Sequence, residues 1–308
     1  MAAMPCRAPV PAAIRPVAPL RAGWLLAGSL LAGSLLAAWS AHAGDAAAAT
    51  VTAQASEHAS LPARTVVELF TSQACAACPP ADSVIGRYAD DREMVVLTFP
   101  VDYWNYLGWA DTFATKVGAQ RQFAYADRRR DRQVYTPQVI IDGSLVSGGN
   151  EREIDRDIVR AATRPLLLPV GVSLQLEEGV LRIRVAATPG RQYNATIWLA
   201  SLDPDESVTV GGGENSGRTL HYRNIVRDLR AVGIWNGSEV QIDLPAAALI
   251  TGLSMPAAVP GSPPAPGTPP SALARHRWRS AVVVQADADS KPGAILGASW
   301  VEYDVSAN

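Results

Sequence analysis

The chain has 308 residues, 48% hydrophobic and 18% charged, and 27 Lys and Arg set against 29 Asp and Glu give a formal net charge of −2. That balance excludes the basic footprint of a nucleic-acid binder and the cationic patch of a membrane-surface protein. Three cysteines, Cys6, Cys75 and Cys78, allow at most one intrachain bridge.

The first segment reads as a signal peptide. Arg7, Arg15 and Arg21 give a positive start, Trp24 to Trp39 is an apolar run built on Leu and Ala, and Ala41-His42-Ala43 is an A-x-A cleavage site. Cleavage after Ala43 is expected, which makes the protein periplasmic or secreted with no membrane anchor. The alternative is an uncleaved anchor, which the Ala, Gly and Ser diluting the apolar run oppose. Cys6 leaves with the peptide, and Cys75 and Cys78 become the whole thiol complement of the mature chain. About 265 residues then remain, more than one typical domain and short of three. Residues 44–60 are Ala-rich, polar and aperiodic, as in a flexible lead-in.

Residues 61–164 alternate strand and helix signals. Arg64 to Phe70 is a β-branched run of strand length, and Asp82 to Ala89 follows Pro79-Pro80 with Val84, Ile85 and Tyr88 at helical spacing. Met94 to Val101 is almost continuously apolar, as a strand covered on both faces should be. Residues 112–132 predict a helix, Gln138 to Gly143 a third strand, and Leu145 to Ser147 its hairpin partner. Asn150 with Glu153 resembles a capping box for a closing helix that Pro165 stops.

Cys75-Ala76-Ala77-Cys78 falls where the first strand runs out and the helix begins. One turn can bring the two thiols within bonding reach, and the open N–H groups of a helix start favour a thiolate. Cys75, preceding the helix and open to solvent, is the expected nucleophile. Cys78, one turn inside, is the expected resolving thiol. An inert bridge is the first alternative, and so short a loop makes a poor staple. A zinc site is the second, but it lacks another ligand pair, since His58, His221 and His276 are scattered.

The order βαβ, helix, ββα, with a dithiol after the first strand and Thr136-Pro137 opening the third, resembles a thioredoxin fold of the short, glutaredoxin-like plan. That resemblance implies a cis Pro137 beside the dithiol, with Thr136 backbone groups free to pair with an extended substrate; the alternative is a proline harmlessly placed at a strand start. It also implies a proton-shuttling role for Glu68, seven positions before Cys75 and one residue farther than such relatives usually place their acid; the alternative is a strand-end Glu reaching solvent. Glu68 to Cys75, Cys78 to Asp82, Val101 to Trp109 and Gly213 to Leu220 together resemble the exported family of domain of unknown function 1223.

Tyr103, Trp104, Tyr106 and Trp109 crowd the stretch after the second strand. They read either as core packing or, with Trp104 foremost, as a rim that docks a substrate chain. Arg128, Arg129, Arg130 and Arg132 read as a solvated helix face; the alternative is positive charge placed near a thiolate by their position just before Tyr135.

From residue 168 the pattern changes to short alternating runs: Val172 to Leu176, Leu181 to Val185, Thr196 to Leu199, Val240 to Leu244 and Ala281 to Gln285. These predict a β-sandwich-like domain over 168–308, interrupted by an exposed Pro-rich insertion at about 256–270. Leu220 to Leu229 fits strand or helix, with strand preferred. Gly211-Gly212-Gly213-Glu214-Asn215 lacks the lysine and the helix of a phosphate loop and reads as a mobile hairpin loop.

The expected activity is thiol-disulfide exchange on proteins or small thiols, with no cofactor, and with thiol or disulfide proteins and a redox partner as its counterparts. The alternative is a non-catalytic envelope-binding, scaffold or redox-sensing protein on the same fold. A copper-handling role is opposed by the lack of Met or His close to the pair in sequence.

Overall fold

A computed structural model of the protein describes residues 6–7, 52–55, 62–148, 150–164, 168–190, 192–250, 276–288 and 291–306. The expected signal peptide beyond residues 6–7, all of the expected lead-in except residues 52–55, and the Pro-rich insertion lie outside the described residues. Two short strands, β1 (Cys6–Arg7) and β2 (Thr52–Ala55), precede the main body. The first half then runs β3 (Thr65–Thr71), α1 (Cys78–Gly86), β4 (Met94–Pro100), α2 (Lys116–Arg129), β5 (Tyr135–Thr136), β6 (Gln138–Ile141), β7 (Leu145–Ser147) and α3 (Glu151–Ala162). The second half comprises β8 (Val172–Glu177), β9 (Val180–Val185), β10 (Ala195–Thr209), β11 (Thr219–Trp235), β12 (Val240–Pro245), the short α4 (Ala247–Ile250), β13 (His276–Ala288) and β14 (Lys291–Ser306).

Every residue of β3 and β4 is buried, and the reason is cover on both faces. On one face Val67, Leu69 and Val96 pack against Val84 and Ile85 of α1 and Ile154 and Ile158 of α3. On the other, Val66, Phe70, Leu97 and Phe99 meet Tyr125 of α2 and apolar side chains of the second half. β3 pairs parallel to β4 and antiparallel to β6, which pairs with β7. The helices follow local chemistry: Pro79 lies in the first turn of α1, where a missing N–H costs nothing, and the Asn150 side chain accepts from the N–H groups of Arg152 and Glu153 at the start of α3.

The two halves share one sheet. A nine-stranded sheet runs β2-β14-β13-β10-β11-β4-β3-β6-β7, joined where Ile225 of β11 pairs parallel with Thr98 of β4. The Thr98 hydroxyl donates to the Arg223 carbonyl at 2.7 Å at the same seam. Arg279 of β13 reinforces it, donating to the Ala89 carbonyl at 2.8 Å and to Asp90 at 2.7 Å. A three-stranded sheet, β12-β9-β8, covers the opposite face of the C-terminal strands. There Leu174, Leu176, Leu181 and Ile183 pack against Ile197, Leu199, Val282 and Val284, which gives the alternating strands their sandwich-like partner. The segment that fitted strand or helix is strand, and it runs on to Trp235 in β11.

Candidate redox site

Cys75 and Cys78 form a disulfide with Cα atoms 5.5 Å apart. The chain leaves β3 and turns through Ser72 to Ala77, with Cys75 N–H donating to the Ser72 carbonyl and Cys78 N–H to the Cys75 carbonyl, each at 3.2 Å. Cys78 is the first residue of α1 rather than one turn inside it, and Cys75 stands ahead of the helix as expected. The exposure expected for Cys75 is absent: it is 1% exposed against 0% for Cys78. Its Sγ lies 3.7 Å from the Thr136 carbonyl oxygen, and both sulfurs sit in the cluster that includes Trp104 and Phe70.

The Thr136-Pro137 peptide is cis, and two side chains hold the segment before it. Trp104 Nε1 donates to Thr136 Oγ1 at 2.8 Å, and Gln122 Nε2 donates to the Tyr135 carbonyl at 2.9 Å and to Gln138 Oε1 at 3.0 Å. Tyr103 in turn donates to Gln122 Oε1 at 3.0 Å. In the full-length chain Cys6–Arg7 of β1, inside the expected signal peptide, pairs antiparallel with Tyr135–Thr136, so this edge is vacated when residues 1–43 are removed. The aromatic stretch divides between its two readings: Trp104 is buried beside the sulfurs, whereas Tyr106 is 65% exposed.

Glu68 is fully buried and faces α2. Arg121 Nε donates to one carboxylate oxygen and the Tyr125 hydroxyl to the other, so the side chain does not reach solvent. Arg121 Nη2 also donates to Gln285 Oε1 at 3.1 Å, which carries the network into β13. Both Glu68 oxygens are committed to this network, and the hydrogen bonds that engage them come from α2 rather than from the dithiol helix.

The buried carboxyl that lacks such partners is Asp82, four residues after Cys78 on α1. Neither of its oxygens, nor Thr71 Oγ1, nor Tyr222 Oη, has a hydrogen-bond partner among the described residues. Burial pushes the Asp82 pKa up to about 8; the nearby Thr71 hydroxyl offsets part of this without reaching hydrogen-bonding geometry, and the Asp111 carboxylate adds to the rise. Asp111 itself is pushed up to about 6 by burial, against the N–H groups of Gln73, Phe113 and Ala114 that it accepts from. Through Gln73 it ties the loop after β4 to the dithiol loop, and Trp109 Nε1 adds a 2.7 Å bond to Gln73 Oε1.

A third contribution comes from the hairpin between β10 and β11, whose tip lies on the dithiol loop. Glu214 Oε2 accepts from Ala76 N–H at 3.0 Å, and Asn215 Nδ2 donates to the carbonyls of Cys75 and Gln73 at 2.8 and 3.0 Å. The Gly211 to Asn215 run carried a visible signal in its glycines, but nothing in the sequence points to a contact some 140 residues away. Arg129 bonds Asp131 at the end of α2, and the arginine cluster stays apart from these contacts.

Among the described residues no group of three or more His, Cys, Asp or Glu could hold a metal ion, and no helix is long and apolar enough to cross a membrane. The arrangement suits thiol chemistry: a dithiol at a helix start, a backbone segment able to pair with a strand, and buried acids behind.

The model of a family described as proteins of unknown function, DUF1223, matches residues 66–259. The protein AGR_C_4864 from Agrobacterium tumefaciens, known from a crystal structure, is 30% identical, with 78% of this chain and 94% of that chain covered and a TM-score of 0.61. No curated protein matches. With more than half its length matched, and the Cys75 to Cys78 loop and the Gly213 to Leu220 tip both inside that span, the chain belongs to the DUF1223 family.

Proposed function

We propose that the protein is an exported thiol-disulfide oxidoreductase whose first half is thioredoxin-like. The strand order β4-β3-β6-β7, with β3 parallel to β4 and β6 and β7 antiparallel, supports that fold reading. The observation that carries the function is the position of Cys75 Sγ 3.7 Å from the carbonyl of Thr136, in an edge segment that in the full-length chain pairs with Cys6–Arg7 of the expected signal peptide and is free once that peptide is cut. A substrate peptide laid along Tyr135–Thr136 in the same manner would bring its own sulfur to Cys75. Cys75 thiolate then attacks a substrate disulfide and Cys78 resolves the mixed disulfide. Export rests on the signal-peptide features of the first 43 residues.

The test is trapping. Cys78→Ala should accumulate mixed disulfides through Cys75 with exported proteins, and Cys75→Ala should accumulate none. Absence of any adduct, together with no turnover of the wild type in an insulin-type disulfide-reduction assay, would refute the proposal.

The burial of Cys75 favours a second reading, a redox sensor or binding protein whose dithiol does not turn over. It requires Cys75→Ser to keep partner binding while the wild type shows no catalysis.

A further inference from the structure

The β10–β11 hairpin tip is built onto the dithiol loop rather than resting near it. Three consecutive glycines make the approach possible: a Cβ at Gly211 would strike the Trp109 ring, one at Gly212 would lie 2.8 Å from the Gly108 carbonyl oxygen, and one at Gly213, where φ is +73°, would lie 3.2 Å from Ala74 Cβ. The tip is internally braced by Gly217 N–H to the Val210 carbonyl at 2.7 Å and Val210 N–H to the Arg218 carbonyl at 2.9 Å. Asn215 is fully buried within an otherwise exposed turn. Arg218 Nη1 donates to Asn215 Oδ1 at 2.6 Å, which orients the amide so that Nδ2 faces the carbonyls of Gln73 and Cys75. Glu214 is thereby aimed at Ala76, between the two cysteines.

Resting on the exchange chemistry proposed above, we infer that this tip sets its direction: Glu214 places a carboxylate on the Ala76 N–H and disfavours a second anion, the Cys75 thiolate, so that the pair acts as a reductant of disulfides in extended polypeptides. A like charge beside a titrating group disfavours its ionised form, and a destabilised thiolate shifts the dithiol/disulfide balance toward the disulfide. Of the other titratable groups around the loop, Asp82 on α1 is buried and is held protonated up to about pH 8. Asp111 is held by Gln73 N–H and Arg218 by Asn215, whereas Glu214 binds a backbone N–H inside the Cys-x-x-Cys turn. Glu214 is exposed, so solvent screens its effect to a modest size.

The electron balance is closed. Cys75 thiolate attacks one sulfur of the substrate disulfide and expels the other as a thiolate. Cys78, losing its proton, then attacks Cys75 Sγ and releases the second substrate thiolate. The Cys75–Cys78 bond forms, the substrate bond is gone, two electrons have passed to the substrate, and the two cysteine protons end on its thiols. A dithiol protein of lower potential must restore the pair.

The experiment uses the full mature chain reduced with dithiothreitol, and compares wild type, Glu214→Gln and the tip control Ser216→Ala. The pH profile of iodoacetamide alkylation is read at Cys75 by peptide mass, and the dithiol/disulfide equilibrium is read in glutathione buffers. Glu214→Gln should alkylate about three- to tenfold faster at pH 6 and move the glutathione equilibrium about three- to tenfold toward the dithiol, with Ser216→Ala unchanged. Values for Glu214→Gln within about twofold of wild type would overturn the inference, as would a wild-type pair that oxidises dithiol peptides to completion. Failure of the underlying exchange reading has a different signature: no wild-type turnover and no trapped adduct, with the alkylation profile still free to shift.

Discussion

Replacing Asp82 by Asn should change the pH dependence of stability more than the fold. Asp82 is buried on α1, and its pKa is raised from 3.8 to about 8 by that burial. The folded protein therefore keeps this proton across a range in which the unfolded chain has lost it. Stability from this group is fully present below about pH 4 and is lost as pH rises through about 8. Each pH unit in between costs about 1.4 kcal/mol, so the loss is about 3 kcal/mol from pH 5 to pH 7 and about 6 kcal/mol over the whole range. Asp111 titrates in the same sense toward about 6 in both proteins, and its repulsion with Asp82 separates them only where Asp82 itself ionises, near pH 8. An amide at position 82 stays neutral and can donate to Thr71 Oγ1 or Tyr222 Oη, both without partners among the described residues. Urea unfolding followed by tryptophan fluorescence at pH 5 and pH 7 should show the variant gaining about 3 kcal/mol on the wild type between the two. A gap that changes by less than about 0.5 kcal/mol would mean that Asp82 is not the buried neutral acid described here.

Glu68→Gln alone should cost about 3–5 kcal/mol, because it leaves the Arg121 guanidinium buried without its counter-charge, and the double variant Glu68→Gln, Arg121→Met should recover most of that in the same urea assay. Trp104→Phe should cost about 1–2 kcal/mol through the stranded Thr136 hydroxyl, and it should raise the KM for a disulfide peptide more than it lowers kcat. Reducing the Cys75–Cys78 bridge closes no long loop, so urea stability should fall by no more than about 2 kcal/mol, with far-ultraviolet circular dichroism unchanged.

Much of the first half was legible because its elements carry their own signals. β3 and β4 are continuous apolar runs because both faces are covered, and Asn150 announces α3 because a cap is a local matter of two hydrogen bonds. The alternation in β8 and β9 likewise reports a sheet with one buried face. The lengths of β10 and β11 were not legible. In these strands of 15 and 17 residues the period is lost mid-strand, where residues 199–204 are all buried and residues 227–230 are all half-buried, and it returns only toward the hairpin tip. Glu68 is visible as an acid in an apolar strand, but its partner Arg121 looks like any other helical arginine until α2 is laid over β3. Asp82 is inconspicuous for the same reason, since its burial is completed by Tyr222 from β11. Local chemistry writes itself into sequence, and contacts between distant segments do not.

The strand that lies beside β4 is the same strand that descends from the hairpin tip, and this limits how the molecule can be dissected. A fragment ending near residue 164 would forfeit Asn215 and Glu214 and would also bare the flank of β4, an unpaired row of amides and carbonyls that invites association between copies. Any measurement of thiol acidity on such a fragment would describe a different loop. The smallest piece of this chain whose sulfur chemistry is its own therefore reaches at least through β11, and the seam contacts of Arg279 extend it to β13.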